Sequence, residues 1–171
     1  MQLSRHFSLE EFEFSQLAVR RGFDNRVPDI KLTNLRHLVH SLLQPLRDIL
    51  GVPVEIRSGY RCPRLNREMA GSRNSAHLHG LAADLWVVNL SVFELTESVA
   101  SSELPFDIVM NEFGNWTHVQ AARPGCEPQR KVMTAYKLGN NHTRLADGNL
   151  QVGASRTLAH QLSGRRSPVC D

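Results

Sequence analysis

The stretch SAHLHGLAAD, residues 75–84, leads into the apolar residues 85–88 and decides how the middle of the chain folds. The short apolar run over residues 82–88 is typical of a buried strand, and the Arg-, Asn-, Ser- and Gly-rich residues before it favour a long loop. Side chains alternate along a strand, so Asp84 shares one face with Ala82 and Trp86. A carboxylate among such apolar neighbours is expected to be buried, and a buried charge needs a partner or a metal ion.

A second predicted strand, residues 116–121, carries a histidine that can meet this carboxylate. Its alternation places His118 on one face, and adjacent strands would aim Asp84 and His118 at one point, with His77 arriving from the loop. Imidazole and carboxylate are ligands that zinc accepts, and three protein ligands with an open fourth position are the catalytic form of a zinc site. His77, Asp84 and His118 are therefore candidate ligands of one zinc ion per chain.

The histidines also allow an interpretation in which they bind no metal. A lone histidine is more often a surface or hydrogen-bonded residue than a metal ligand, and local context alone favours that interpretation for His77. We assign it to the histidines outside the motif, which are His6, His37, His40, His142 and His160.

The rest of the chain contains helical and strand patterns, which together predict an α+β fold. Helices are predicted over residues 8–21, where Ser8 and Glu11 form a capping box, and over residues 35–50, with a kink at Pro45 and an end at Gly51. The remaining predicted elements are a strand at 54–58, a short helix at 64–69, a helix at 91–101, and strands at 106–110 and 131–136.

Length and composition fit one globular domain with a tail. The 171 residues are 41% hydrophobic and 22% charged, which is ordinary for a globular protein. We predict one domain over residues 1–137 and an irregular, mobile tail over residues 138–171, where no period is sustained. The three cysteines lack metal-binding spacing, so reduced thiols are expected.

Targeting signals are not visible in the sequence. The chain has no apolar run near the ~20 residues that span a bilayer, so no membrane insertion is expected. The first residues, MQLSRHFSLEEFEF, carry charges where a signal peptide needs an apolar segment, which predicts synthesis in the cytoplasm without self-export. The net charge of +3 suits contact with anionic polymers but selects none.

The motif resembles that of the zinc D-Ala-D-Ala carboxypeptidase family, which includes phage lysis enzymes. The resemblance rests on Ser75-x-His77-x-x-Gly80-x-Ala82-x-Asp84 and Trp116-x-His118. It is widened by Ser58-Gly59-Tyr60-Arg61 with Pro63 and Asn66, by the opening Leu3-Ser4-Arg5-His6-Phe7, and extends over roughly residues 3–122. It implies the zinc ligands His77, Asp84 and His118 in a zinc peptidase domain, on an antiparallel sheet with N-terminal helices packed on one side, as in hedgehog domains.

The resemblance also implies roles for three other residues. Glu112 lies where hedgehog-type relatives carry a glutamate beside the zinc, which implies a general base; several carboxypeptidases instead place an acidic residue where this chain has Asn115. Arg61 matches the arginine that orients the substrate, and Ser75 matches a serine that hydrogen-bonds it. Without these roles, Glu112 would be a solvated loop carboxylate, Arg61 a surface arginine and Ser75 a turn residue.

The expected activity is hydrolysis of peptide bonds in bacterial peptidoglycan by a monomer that binds stem peptides and acts on the cell wall once released or carried there. The expected bond is that of a D-Ala-D-Ala carboxypeptidase or of a cell-wall endopeptidase. One alternative is a non-catalytic, zinc-stabilised module for wall binding or virion structure. A nucleic-acid-binding protein is the other, suggested only by charge and not expected, because no recognised motif accompanies that charge.

Overall fold

Six strands and several helices make up the protein, described here from a computed structural model over residues 1–138 and 142–151. The helices are α1 (Leu9–Glu13), α2 (Gln16–Arg21), α3 (Asp29–Leu38), α4 (Gln44–Leu50), α5 (Pro63–Glu68) and α6 (Val92–Ala100), with a π-helical segment, Val39–Leu43, and a 3-10 turn, Ala76–His79. The strands are β1 (Glu55–Ser58), β2 (Ala82–Trp86), β3 (Phe106–Glu112), β4 (Trp116–Ala121), β5 (Lys131–Leu138) and β6 (His142–Asp147). Within the described residues, every helix is too short or too polar to cross a bilayer.

The strands form one sheet in the order β1-β2-β4-β3-β5-β6. All neighbouring pairs are antiparallel except β3 and β5, which are parallel. The α+β prediction is confirmed, but the prediction of a purely antiparallel sheet is wrong. β4 ends at Ala121, opposite Phe106 at the start of β3. Residues 122–130 lead from there to Arg130, whose N–H donates to Phe106 O at 3.2 Å, so β5 begins at the same end of the sheet as β3 and runs in the same direction.

The N-terminal helices pack against one face of this sheet, as predicted. Leu38 and Leu42 from the N-terminal helical region share one buried core with Leu85 of β2 and Val119 of β4. Neighbouring side chains on each strand point to the opposite face. Asp84 and His118 therefore lie on the face that this helical core leaves free. The hedgehog-type topology stays a prediction.

The predicted first helix is broken in two. Its start is as predicted, since Ser8 N–H donates to Glu11 Oε2 at 2.6 Å. Phe14 and Ser15, however, adopt extended conformations, and the Ser15 hydroxyl accepts from Ala18 N–H at 3.3 Å to begin α2. A serine that caps a new helix competes with continuation of the old one.

The long helix departs from regularity close to the predicted kink. Pro45 lacks the N–H that would bond to the carbonyl of Ser41, and the π-helical segment Val39–Leu43 ends two residues before it. Gly51 ends the helix in the left-handed conformation, with φ of 67°, as predicted.

The strand β6 lies in the segment predicted to be irregular. His142–Asp147 pairs with β5 over six residues, so that prediction is wrong there. The pairing partner supplies backbone hydrogen bonds that need no hydrophobic period, and five of the six β6 residues are exposed. Residues 139–141 and 152–171 lie outside the described residues, and the domain boundary after residue 137 stays a prediction.

Candidate metal centre

The centre is built first on the pairing of β2 with β4. Asp84 and His118 are direct partners in that ladder, and their side chains leave the same face of the sheet. Asp84 Oδ1 lies 2.9 Å from His118 Nδ1. Strand alternation thus brings together the two residues that the sequence predicted to converge.

His77 reaches this pair from the 3-10 turn before β2. The turn is closed by Gly80, whose φ of 68° is one that glycine adopts without strain. The His77 side chain is buried, and its Nε2 lies 3.2 Å from Asp84 Oδ1 and 3.2 Å from His118 Nδ1. The three predicted ligands therefore meet at one place.

Hydrogen bonding presents His77 in the form that a metal requires. Its Nδ1 lies 2.7 Å from the carbonyl oxygen of Gly59, which can only accept, so Nδ1 carries the proton. In the neutral ring, Nε2 then keeps a lone pair directed at the centre. Metal-binding histidines characteristically donate their second nitrogen to a backbone carbonyl or a carboxylate in this way.

The spacing of the three donor atoms fits a tetrahedral ion. Zinc ligands lie about 2.0–2.2 Å from the metal, so donors at a tetrahedral site are separated by about 3.3–3.6 Å. The three separations here are 2.9, 3.2 and 3.2 Å. His77, Asp84 and His118 could therefore hold a metal ion, and two imidazoles with one carboxylate form a donor set that zinc accepts.

Electrostatics favour a charged Asp84 beside a neutral His77. Burial lowers the pKa of His77, against the opposing pull of Asp84. Burial alone would raise the pKa of Asp84, but the hydrogen bond from His118 and the charge of that ring hold this pKa well below its ordinary range. Burial likewise disfavours charge on His118, yet the hydrogen bond to Asp84 and the charges of Asp84 and Glu112 raise its pKa. The carboxylate is thus ionised and ready for a cation.

Arg61 lies behind the centre and binds its carboxylate. The guanidinium Nη2 donates to Asp84 Oδ2 at 2.5 Å, and Nε donates to the hydroxyl of Ser58 at 2.9 Å. The side chain is 11% exposed. The alternative prediction, that Arg61 is a surface arginine, is therefore wrong. These contacts orient Asp84, while the predicted role of Arg61 toward substrate stays a prediction.

Glu112 lies on the same side of the sheet as the centre. In the β3–β4 ladder, Met110 is opposite His118 and Glu112 is opposite Trp116, so Glu112 is a diagonal neighbour of His118. Burial raises the pKa of Glu112, with a smaller contribution from Asp84, against the opposing effects of His118, Trp116 and Arg61. Its carboxylate is therefore half-buried beside the centre and not a solvated loop group.

Ser75 and His79 frame the 3-10 turn without joining the three donors. Ser75 precedes the turn, and its carbonyl accepts from Leu78 N–H at 3.1 Å, but its hydroxyl makes no capping hydrogen bond. His79 is exposed. The substrate contact assigned to Ser75 stays a prediction.

Two residues that the sequence analysis missed hold the turn from α3. The ammonium of Lys31 donates to the carbonyl of Leu78, and Asn34 Nδ2 donates to the carbonyl of His79 at 3.0 Å. Both lie more than forty positions before their acceptors, and no local pattern in the sequence links them to the motif. Gly59, by contrast, belongs to a segment that was singled out, although its carbonyl contact with His77 was not predicted.

Comparison with known proteins yields one family. The family model described as Peptidase M15 matches residues 5–120, which include every residue of the centre and Glu112. No curated protein matches the chain.

Proposed function

The chain belongs to the peptidase M15 family of zinc-dependent metallopeptidases, and we propose that it hydrolyses peptide bonds in bacterial peptidoglycan. Its substrates would be the stem peptides of the wall. The finer activity that we propose is that of a D-Ala-D-Ala carboxypeptidase or a cell-wall endopeptidase, carried out by a monomer.

One observation supports this proposal above the others. His77, Asp84 and His118 present three metal-binding atoms within 4.8 Å of one another, and the Glu112 carboxylate lies on the same face of the sheet. A metal site with an adjacent carboxylate that is free to accept a proton is the arrangement that peptide hydrolysis by water requires. A purely structural zinc site needs no such neighbour.

The proposed reaction divides its steps among the residues present. A zinc ion held by His77, Asp84 and His118 would polarise the scissile carbonyl and lower the pKa of water to about 7. Glu112 takes a proton from the attacking water as the new carbon–oxygen bond forms. It then returns that proton to the leaving nitrogen as the carbon–nitrogen bond breaks. Glu112 is unchanged at the end, and the products are a carboxylic acid and an amine.

Arg61 and Ser75 have proposed roles that do not involve proton transfer. Arg61 binds Asp84 through Nη2 and Ser58 through Nε, which leaves Nη1 for a substrate carbonyl or terminal carboxylate. Ser75 lies at the start of the turn that carries His77, where its hydroxyl is available to a substrate amide. These contacts would place the scissile bond against Glu112.

Digestion of purified peptidoglycan tests the proposal. The zinc-loaded protein should release stem-peptide fragments that mass spectrometry identifies, and their masses should show whether a terminal D-alanine or an internal bond is lost. Intact wall after incubation, with zinc bound at one ion per chain, would instead support a non-catalytic module for wall binding or virion structure.

A further inference from the structure

One residue of the hairpin between β3 and β4 has no role in the proposed reaction, yet it contacts the proposed base. Trp116 is the first residue of β4 and is paired directly with Glu112, the last residue of β3. Its indole Nε1 donates to Glu112 Oε2 at 2.9 Å. Within the described residues, the Glu112 side chain accepts one hydrogen bond, through Oε2, and its Oε1 accepts none.

The hairpin holds the indole itself in place. Phe113 lies edge-on to Trp116, with ring centroids 6.2 Å apart and planes at 72°. Phe113 adopts a φ of 60°, which is uncommon for an aromatic residue. The turn is closed by Asn115 N–H, which donates to Glu112 O at 2.9 Å, and by Gly114 N–H, which donates to Asn111 Oδ1 at 3.0 Å. The donor therefore belongs to a fixed structure.

We propose that Trp116 is a positioning residue that fixes the Glu112 carboxylate through Oε2 and leaves Oε1 to accept the proton of the attacking water. The inference rests on the proposed function, because it assigns a support to the base named there.

The chemistry of the donor suits this role. A glutamate side chain has three rotatable bonds, and a base must lie within hydrogen-bond distance of the water that it deprotonates. A cationic donor would hold the carboxylate as firmly but would also weaken it as a base. The indole N–H is neutral and can only donate, so it orients the carboxylate with a smaller loss of basicity.

Replacement of the single N–H group tests the inference. In Trp116→Phe, and in protein with 3-benzothienylalanine at position 116, which replaces N–H by sulfur in a ring of the same shape, kcat on soluble muropeptides should fall about 10- to 100-fold with KM nearly unchanged. Zinc content and melting temperature should match those of the unaltered protein. Trp86→Phe is the matched control, since Trp86 lies on the same face of the sheet and stacks with Arg57.

A second measurement does not depend on activity. Three-bond couplings of the Glu112 side chain, measured by NMR, should indicate one rotamer in the unaltered protein and averaging in the benzothienylalanine protein. Full kcat in that protein, or an unchanged Glu112 rotamer, would overturn the inference. Absence of hydrolysis by the unaltered protein would contradict the proposed function, and the rotamer measurement would still decide the role of Trp116.

Discussion

Asp84 and Arg61 are joined through one oxygen of the Asp84 carboxylate, Oδ2, while the other oxygen, Oδ1, lies between His77 and His118. A carboxylate with its two oxygens committed in this way has a fixed orientation. It can bind a cation through Oδ1 without rotating, and the guanidinium limits its use as a bidentate ligand. The centre therefore depends on a residue that does not belong to the three donors.

Replacement of a donor should remove the metal. His118→Ala leaves two donor atoms of the three, so zinc content measured by atomic emission should fall from one ion per chain to near zero after dialysis. His79→Ala is the matched control because His79 is exposed in the turn that carries His77. Equal zinc content in the two variants would exclude His118 as a ligand.

Replacement of the proposed base should separate metal binding from catalysis. Glu112→Gln keeps the size of the side chain and an oxygen that can accept from Trp116, but it cannot take a proton from water. We expect full zinc content and a loss of about 10²- to 10⁴-fold in kcat on muropeptides. A variant with the activity of the unaltered protein would remove Glu112 from the mechanism.

Replacement of Arg61 should lower the affinity of the centre for zinc. Arg61→Lys keeps the charge but cannot contact Asp84 and Ser58 together through a planar fork. Loss of such a support typically lowers metal affinity or activity about 10- to 100-fold, and a competition titration with a fluorescent zinc chelator measures the affinity. Arg57→Lys, at an exposed arginine of β1, should leave the affinity unchanged; an equal effect in both variants would contradict the proposed support.

The hydrogen bond between Trp116 and Glu112 makes the ionisation of Glu112 observable. Because burial raises the pKa of Glu112, the indole N–H resonance of Trp116 in the metal-free protein should titrate with a midpoint above the ordinary glutamate value of about 4.3. Below that midpoint the carboxyl group is protonated and cannot act as a base. Zinc should move the midpoint down, because a cation stabilises the carboxylate. If the Trp116 resonance titrates with the same midpoint in Glu112→Gln, a group other than Glu112 is responsible.

Gly59 couples the first helix to His77, and replacement by alanine should disturb both. An added Cβ would lie 2.6 Å from Phe12 Cα, so the backbone must shift, at a cost of about 1–3 kcal/mol in the free energy of unfolding. The carbonyl of Gly59 accepts from His77 Nδ1, so zinc affinity should fall as well. Gly22→Ala, where a Cβ meets nothing within 4 Å but φ is 65°, should lose stability through backbone strain and keep its zinc affinity.

Several elements could be predicted because their causes are local. Strand alternation placed Asp84 and His118 on one face, and the structure pairs them directly. The capping residues Ser8 and Ser91 begin helices as predicted, because each bonds to residues within a single turn. By contrast, the break at Ser15 was missed, since its two competing hydrogen-bonding patterns are both local and the sequence does not rank them.

Other elements depend on residues far apart in the chain. The parallel pairing of β3 with β5 follows from the path of residues 122–130, and β6 forms because β5 offers an unpaired edge. The contacts of Lys31 and Asn34 with the turn at residues 76–79 span more than forty positions. Hydrophobic periodicity in the sequence does not predict such contacts, because they arise only when separate elements pack.

The sequence by itself determined the three donor types, their order and the strand faces that carry two of them, because side-chain alternation is a property of each strand alone. Only the tertiary structure decided that Gly59 directs the ring of His77, that Arg61 binds the far oxygen of Asp84, and that Trp116 contacts Glu112. Those contacts join separate elements or depend on side-chain rotamers, and their geometry exists only once the sheet has assembled.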